Sequence, residues 1–292
     1  MSAALARTSA TETSATDEGV RAAPPATRAC PHCCTQAFEP LEAYSAPPWA
    51  VVECVDCGFV YLKNPPDYEA LSKDYAWEKT RAAEKKRRKT QSPALMWLDR
   101  ATRWRLSLMR KNLLDYIAGR YPGGHVLDVG CGEGRRLPDT FVPFGIEISE
   151  GLAAEADKRM RARGGYAVHA PAVEGVKQFP DEHFEAILLR SFLEHEKQPK
   201  ALLQEAVRVL KPEGAIFIRV PNFASVNRHL RGGKWCGFRH PDHVNYFTPT
   251  SLKAMAADCG LKMTLLNPIR LPLDDNINAI LERDPNIKKA AA

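Results

Sequence analysis

His125-Val126-Leu127-Asp128-Val129-Gly130-Cys131-Gly132-Glu133-Gly134 is the stretch that decides the fold. An apolar run feeds straight into a glycine-rich turn. A dinucleotide loop of the form G-x-G-x-x-G would place its third glycine at position 135, which is Arg135; here the pattern is G-x-G-x-G, preceded by Asp128. Downstream, Phe141-Val142-Pro143-Phe144-Gly145-Ile146-Glu147-Ile148-Ser149 reads as a second strand ending in an acid. A carboxylate at that strand end can accept both hydroxyls of an adenosine ribose. Strand, glycine turn and acid-terminated strand together predict an α/β fold with a Rossmann-like, doubly wound, mostly parallel sheet. No lysine stands where a phosphate-cradling P-loop would need one.

Further apolar segments continue the pattern. Phe184-Glu185-Ala186-Ile187-Leu188-Leu189 reads as a strand and leads into Arg190-Ser191-Phe192-Leu193-Glu194-His195. Val209-Leu210-Lys211-Pro212-Glu213-Gly214-Ala215-Ile216-Phe217-Ile218 reads as a turn and another strand. Leu261 to Ile269 supplies one more. A last strand near Ala279-Ile280-Leu281 is left open, as either missing or degenerate.

In order and spacing these segments resemble class I S-adenosylmethionine-dependent methyltransferases of the bacterial small-molecule type, over about residues 119–270. VLDVGCGEG resembles that family's first motif, GIEIS its second, and Leu210-Lys211-Pro212-Glu213-Gly214 its LKPGG turn, with Glu213 replacing a glycine and Glu185 standing where aspartate is usual. The resemblance implies S-adenosyl-L-methionine as cofactor, and it implies roles. Gly130, Gly132 and Gly134 let the backbone approach the methionine moiety. Asp128 orders the loop and reaches the cofactor amino group through water. Glu147 binds the ribose, with Ile148 beside it. Ala172 borders the adenine, and Ser191 and Phe192 lie under the cofactor. Cys131 is expected to be a small apolar filler.

The acceptor side is expected in the irregular stretch after Pro221-Asn222. His243-Val244-Asn245-Tyr246-Phe247-Thr248-Pro249 resembles bacterial methyltransferases that join a zinc ribbon to this catalytic domain. Methyl transfer from a sulfonium is an in-line displacement, in which the enzyme chiefly aligns the nucleophile. An alcohol nucleophile also needs a proton acceptor, and histidine is best poised near neutral pH. The candidates are His195, His243 and His240, with Tyr246 as a positioning group. For each histidine, a purely structural hydrogen bond is the competing reading.

Upstream, Arg81 to Lys111 carries 11 Lys or Arg against two acids, so the net charge of +6 resolves into a +9 segment on a chain otherwise at −3. Apolar residues recur at helical spacing through Trp97, Ala101, Trp104 and Leu108, and through Leu106, Met109, Leu113 and Ile117. A basic helical connector over 67–118 is expected. Its basic face is either simply solvated or a docking surface for anions, and no interleaving of aromatics with glycine indicates nucleic acid.

Further upstream, Cys30-Pro31-His32-Cys33 and Cys54-Val55-Asp56-Cys57 form C-x2-C-x20-C-x2-C, the spacing of a structural zinc site. Two thiolates from each tight turn complete a tetrahedron. A zinc ribbon over 29–66 is expected, with Cys30, Cys33, Cys54 and Cys57 as Zn2+ ligands, Trp49 to Glu53 pairing with Phe59 to Leu62, and His32 and Cys34 as bystanders. Residues 1–28 are poor in large apolar side chains and read as a disordered tail. The methyltransferase domain is assigned to 119–285.

The chain of 292 residues is 45% hydrophobic and 26% charged, as in ordinary globular proteins. No apolar run reaches the ~20 residues needed to span a bilayer. The leading reading is a cytoplasmic enzyme that methylates a small-molecule acceptor, anionic or sugar-containing. The alternatives are an RNA-modifying methyltransferase and a non-catalytic binding protein on the same fold.

Overall fold

The computed structural model describes residues 27–67 and 112–286. The tail through residue 26 and residues 68–111, which include nearly all of the basic connector, lie outside the described residues.

Among the described residues, eleven strands fall into two sheets. Strands β1 (Phe38–Pro40), β2 (Val51–Cys54) and β3 (Val60–Leu62) form an antiparallel meander with a fourth strand, β9 (Asn245–Tyr246), at its far edge. The second sheet contains β4 (Gly124–Val129), β5 (Phe141–Glu147), β6 (Ala167–His169), β7 (Phe184–Arg190), β8 (Leu210–Pro221), β10 (Leu261–Leu265) and β11 (Asn276–Arg283). Its order is β10-β11-β8-β7-β4-β5-β6, with β4 to β8 parallel and β11 antiparallel to both neighbours. The expected doubly wound, mostly parallel sheet is therefore present.

The last strand is a correction to the expectation. β11 is not degenerate: it runs eight residues and pairs with β8 from Asn276 to Glu282. Its alternation is regular, with Ile277, Ala279 and Leu281 buried. The polar residues between them read as a loop until both neighbouring strands are known.

Helices cover both faces. α1 (Leu113–Arg120) opens on an Asn112–Asp115 capping box and buries Leu113 and Ile117 with Val126, Leu188 and Phe217. α1, which lies within the stretch assigned to the connector, packs on the large sheet. α2 (Glu150–Arg161) and α3 (Ala172–Lys177) follow β5 and β6. α4 (Pro199–Val209) has proline at its first turn and buries Leu202, Leu203, Ala206 and Val209, spaced for one helix face. α5 (Val226–Arg231) starts on the Ser225 cap. α6 (Pro249–Asp258) starts on Thr248, whose hydroxyl accepts from Ser251 N. Between β4 and β5 the connection 130–140 contains no helix.

The ribbon does not stand apart. Val60 and Tyr61 pair with Tyr246 and Asn245. Cys30, Cys54, Phe59 and Tyr61 share one core with Phe247, Leu252 and Met255. The Arg28 guanidinium donates to the carbonyls of Leu62, Lys197 and Val244. Asp258 at the end of α6 accepts from Lys200 (2.8 Å) and faces His32 (3.2 Å).

Candidate functional site

The chain turns outward in opposite directions from β4, to β5 and β6 on one side and to β7 and β8 on the other. Ligands of open α/β sheets bind beyond the carboxyl ends of the strands at such a switch point. Gly130 to Gly134, Glu147 and Ser191 all lie there.

Gly130 leaves β4 at φ 70°, with Gly132 at 58° and Gly134 at 87°, a left-handed region that side chains resist. Gly130 N and Cys131 N donate to the Ile146 carbonyl, clamping the loop to β5. A Cβ on Gly130 would sit 2.3 Å from Cδ2 of Phe192. The ring of Phe192 therefore lies on the glycine backbone, and Ser191 beside it takes φ 53°. Gly130→Ala is expected to destabilise the protein by about 1–3 kcal/mol. Thermal unfolding of Gly130→Ala, Phe192→Ala and the double variant checks this, because removing the ring should recover part of the loss.

Glu147 is held by the loop it faces. Its Oε2 accepts from Gly132 N (2.9 Å) and its Oε1 from Ser149 N (3.0 Å). Asp128 is 3% exposed; Oδ2 accepts from Arg135 Nε (2.7 Å), while the buried Oδ1 has no hydrogen-bond partner among the described residues. Burial pushes its carboxyl up to about 7 against the pull of Arg135 and Arg190. Cys131 packs against Ala156 and Met160, and burial pushes its thiol up, as befits a filler. Ile148 is half-buried and gives its carbonyl to His169. Ala172 is buried at the start of α3, where Gly175 rests on Ile146.

A second cluster forms where the turn after β7 meets the segment before β9. The Glu194 carbonyl accepts from Val244 N and Asn245 N, and the Asn245 amide donates to the carbonyls of Leu193 and Glu196. This staple brings His195 and His243 together, rings edge to face with centroids 4.7 Å apart. His195 Nδ1 lies 3.0 Å from Asp242 Oδ1 and 2.9 Å from the Asp242 carbonyl. His243 Nδ1 lies 2.8 Å from the Gly237 carbonyl. Arg239 completes the ion pairs through Asp242 (2.7 Å). Burial would lower His195, but Asp242 and Glu194 outweigh it and lift the ring to about 9. Burial pushes His243 well down and Glu194 up to about 7. Asp242 would be raised by burial, yet His195 holds it well below the usual carboxylate range.

Two expected acceptor-side residues sit differently. Tyr246 is 2% exposed and donates its hydroxyl to the His243 carbonyl (3.0 Å), so it braces the backbone at His243. His240 reaches the Tyr44 carbonyl in the ribbon. Sequence reasoning gave no sign that Asp242 and Asn245 hold this cluster together, although both lie in the irregular stretch after Pro221. It also missed a cavity of about 170 Å³ at the ends of β7 and β8, lined by Arg190, Arg219, Arg270, Asn267, Asp274 and Asn112. Arg190 favours the charged form of Asp128 and Arg219 that of Glu194, so arginines of this cavity act on both clusters.

The four ribbon cysteines converge with their Sγ atoms all within 4.8 Å of one another. Cys30–Cys57 is 3.6 Å and Cys33–Cys54 is 3.4 Å. The two knuckles repeat each other. Cys30 N donates to Thr35 O and Cys34 N to Cys30 O; Cys54 N donates to Phe59 O and Gly58 N to Cys54 O. Cys34 and Gly58, at equivalent positions, both take φ 66°. Cys34 is therefore a turn residue, and His32 faces Asp258.

A family model described as "Methyltransferase domain" matches residues 97–266. Ubiquinone biosynthesis O-methyltransferase of Xylella fastidiosa is 35% identical over 125 residues, 40% of this chain and 48% of that one. Its counterpart in Shewanella halifaxensis is 29% identical over 133 residues, 43% and 53% of the two chains. The chain spans about half the length of the curated relatives it matches. A SAM-dependent methyltransferase from Archaeoglobus fulgidus superposes with a TM-score of 0.45 at 17% identity, covering 59% of this chain and 91% of that one. With the family model spanning more than half of its residues, the chain belongs to the methyltransferase domain family.

Proposed function

We propose that this protein transfers a methyl group from S-adenosyl-L-methionine to an oxygen of an anionic small-molecule acceptor. The observation that carries the reading is the pairing of a preset Glu147 carboxylate with the Oδ1 of Asp128, unpartnered among the described residues, at the switch point. Both suit the cofactor: Glu147 the ribose hydroxyls, Asp128 the positively charged methionine end, with Ile148 and Ala172 beside the adenosine and Ser191 and Phe192 beneath. When bound, S-adenosylmethionine supplies an electrophilic methyl group on a sulfonium sulfur. The arginines of the cavity orient the acceptor by its anionic group. The acceptor oxygen forms its bond to the methyl carbon as the carbon–sulfur bond breaks and sulfur keeps the pair. Removal of the hydroxyl proton is assigned to the Glu194–His195–His243 cluster, whose exposed member is His195. The relatives named for O-methylation support the choice of oxygen. We further propose one structural Zn2+ on Cys30, Cys33, Cys54 and Cys57; a tetrahedron with ~2.3 Å bonds needs sulfurs ~3.8 Å apart, close to the spacings found.

Calorimetric titration tests the cofactor assignment. Glu147→Ala is expected to weaken S-adenosylmethionine binding by at least ~10-fold, since it removes charge-assisted hydrogen bonds. Affinity should also fall as pH drops through about 7, where Asp128 takes up its proton. The sign for the free protein is opposite: an acid raised on folding contributes stability below its unfolded value and loses it as pH rises through about 7. Asp128→Asn should remove that pH dependence. Affinity unchanged in both variants would sink the assignment. Screening hydroxylated carboxylates and phosphates for release of the demethylated cofactor identifies the acceptor class, and retention of RNA at low salt would redirect it.

A further inference from the structure

The ribbon cysteines are not the only converging donor set. Glu194, His195 and His243 each offer one ligand atom, all within 4.8 Å of one another. We propose that these three residues form a second metal site, taking one divalent cation of the manganese-to-zinc series through two imidazoles and a carboxylate.

The argument starts from the hydrogen bonds behind the rings. A carbonyl or carboxylate oxygen can only accept, so each Nδ1 carries the proton: His195 Nδ1–H donates to Asp242, and His243 Nδ1–H donates to the Gly237 carbonyl (2.8 Å). That leaves Nε2 as the nitrogen each ring offers to a cation, with His195 giving up its Nε2 proton as the cation binds. His195 Nε2 faces Glu194 Oε1 at 3.9 Å, and the other oxygen, Oε2, is buried without a hydrogen-bond partner among the described residues. Metal-binding histidines are oriented in this way, donating the distal N–H to a carboxylate or a backbone carbonyl. The donor mix of two nitrogens and one carboxylate oxygen suits zinc, manganese, cobalt or ferrous iron more than calcium.

Exposure supports an open site. The side chains of Glu194 and His195 are 2% and 24% exposed, and His243 is 4% exposed as a residue. Glu194 and His243 are therefore buried, and His195 is the member of the set that reaches solvent. Three protein ligands plus an open position is the arrangement of catalytic metal sites. The inference rests on the methyltransferase reading only for its purpose: an acceptor hydroxyl reaching the cation would release its proton to water more readily before attack.

The test uses the full chain with its ribbon loaded with zinc, and Mn2+ as the probe, followed by loss of the free-ion electron paramagnetic resonance signal. One equivalent should bind saturably. Glu194→Gln, which keeps the shape, and His243→Ala should each lose at least ~10-fold in Mn2+ affinity. Asp242→Asn, which touches no ligand atom, should lose about 10–100-fold. Cys34→Ser should lose none. S-adenosylmethionine titrations run alongside separate the two claims: cofactor binding without Mn2+ binding overturns the metal site alone, and Mn2+ binding without cofactor binding overturns the methyltransferase reading alone. Mn2+ affinity unchanged in Glu194→Gln also overturns the site, whatever His243→Ala does to folding.

Discussion

Cys54→Ser is expected to abolish zinc retention and to lower both thermal stability and turnover. Structural zinc binding is worth roughly 10–16 kcal/mol in isolated finger peptides, and much of it is folding free energy. Here the effect should spread beyond the ribbon. Cys54 ends β2, β2 pairs with β3, and β3 pairs with β9, whose Asn245 staples the loop carrying Glu194 and His195. Losing one thiolate therefore loosens the strand beside His243. Metal analysis, thermal unfolding and demethylated-cofactor release on the same preparation check it. A variant that keeps its zinc and its midpoint would overturn the assignment.

His195→Ala is expected to lower kcat by about 10²–10⁴ while leaving S-adenosylmethionine affinity within ~2-fold. The range is that of a lost proton-transfer group, and it holds whether the ring accepts the proton or holds the cation that promotes its loss. The cofactor is spared because Glu147 and Asp128 sit on the other two strand ends. The profile of kcat against pH distinguishes the two uses. A free base must be neutral, so rate should climb as pH rises through about 9. Unchanged kcat with the acceptor at saturation would remove the cluster from the chemistry.

Much of the fold was legible because its signals are local. The run from His125 to Gly134 and the acid at 147 each occupy one strand and one turn, and the knuckle pattern needs only spacing. Thr248 and Pro249 open α6 through an equally local cap. What escaped notice is non-local. β11 is polar along half its length, and only its burial between β8 and β10 makes it a strand. β9 is two residues long and exists because the ribbon offers an edge. His195 and His243 were visible singly, but their tautomers are set by Asp242 and a carbonyl at Gly237, which no spacing rule connects. The basic cavity collects arginines from three separated segments.

The shared edge between ribbon and β9 has a consequence for biosynthesis. Arg28 is fastened to Val244, 216 residues further along the chain, and β3 finds its outer neighbour only at Tyr246. Such long-range closures are slow, because loop entropy is lost before the contact forms. The ribbon is thus completed only after the much later strand β9 has been made. Until then a strand edge and two cysteine pairs stand uncovered, so metal supply during synthesis should govern how much folded protein a cell recovers.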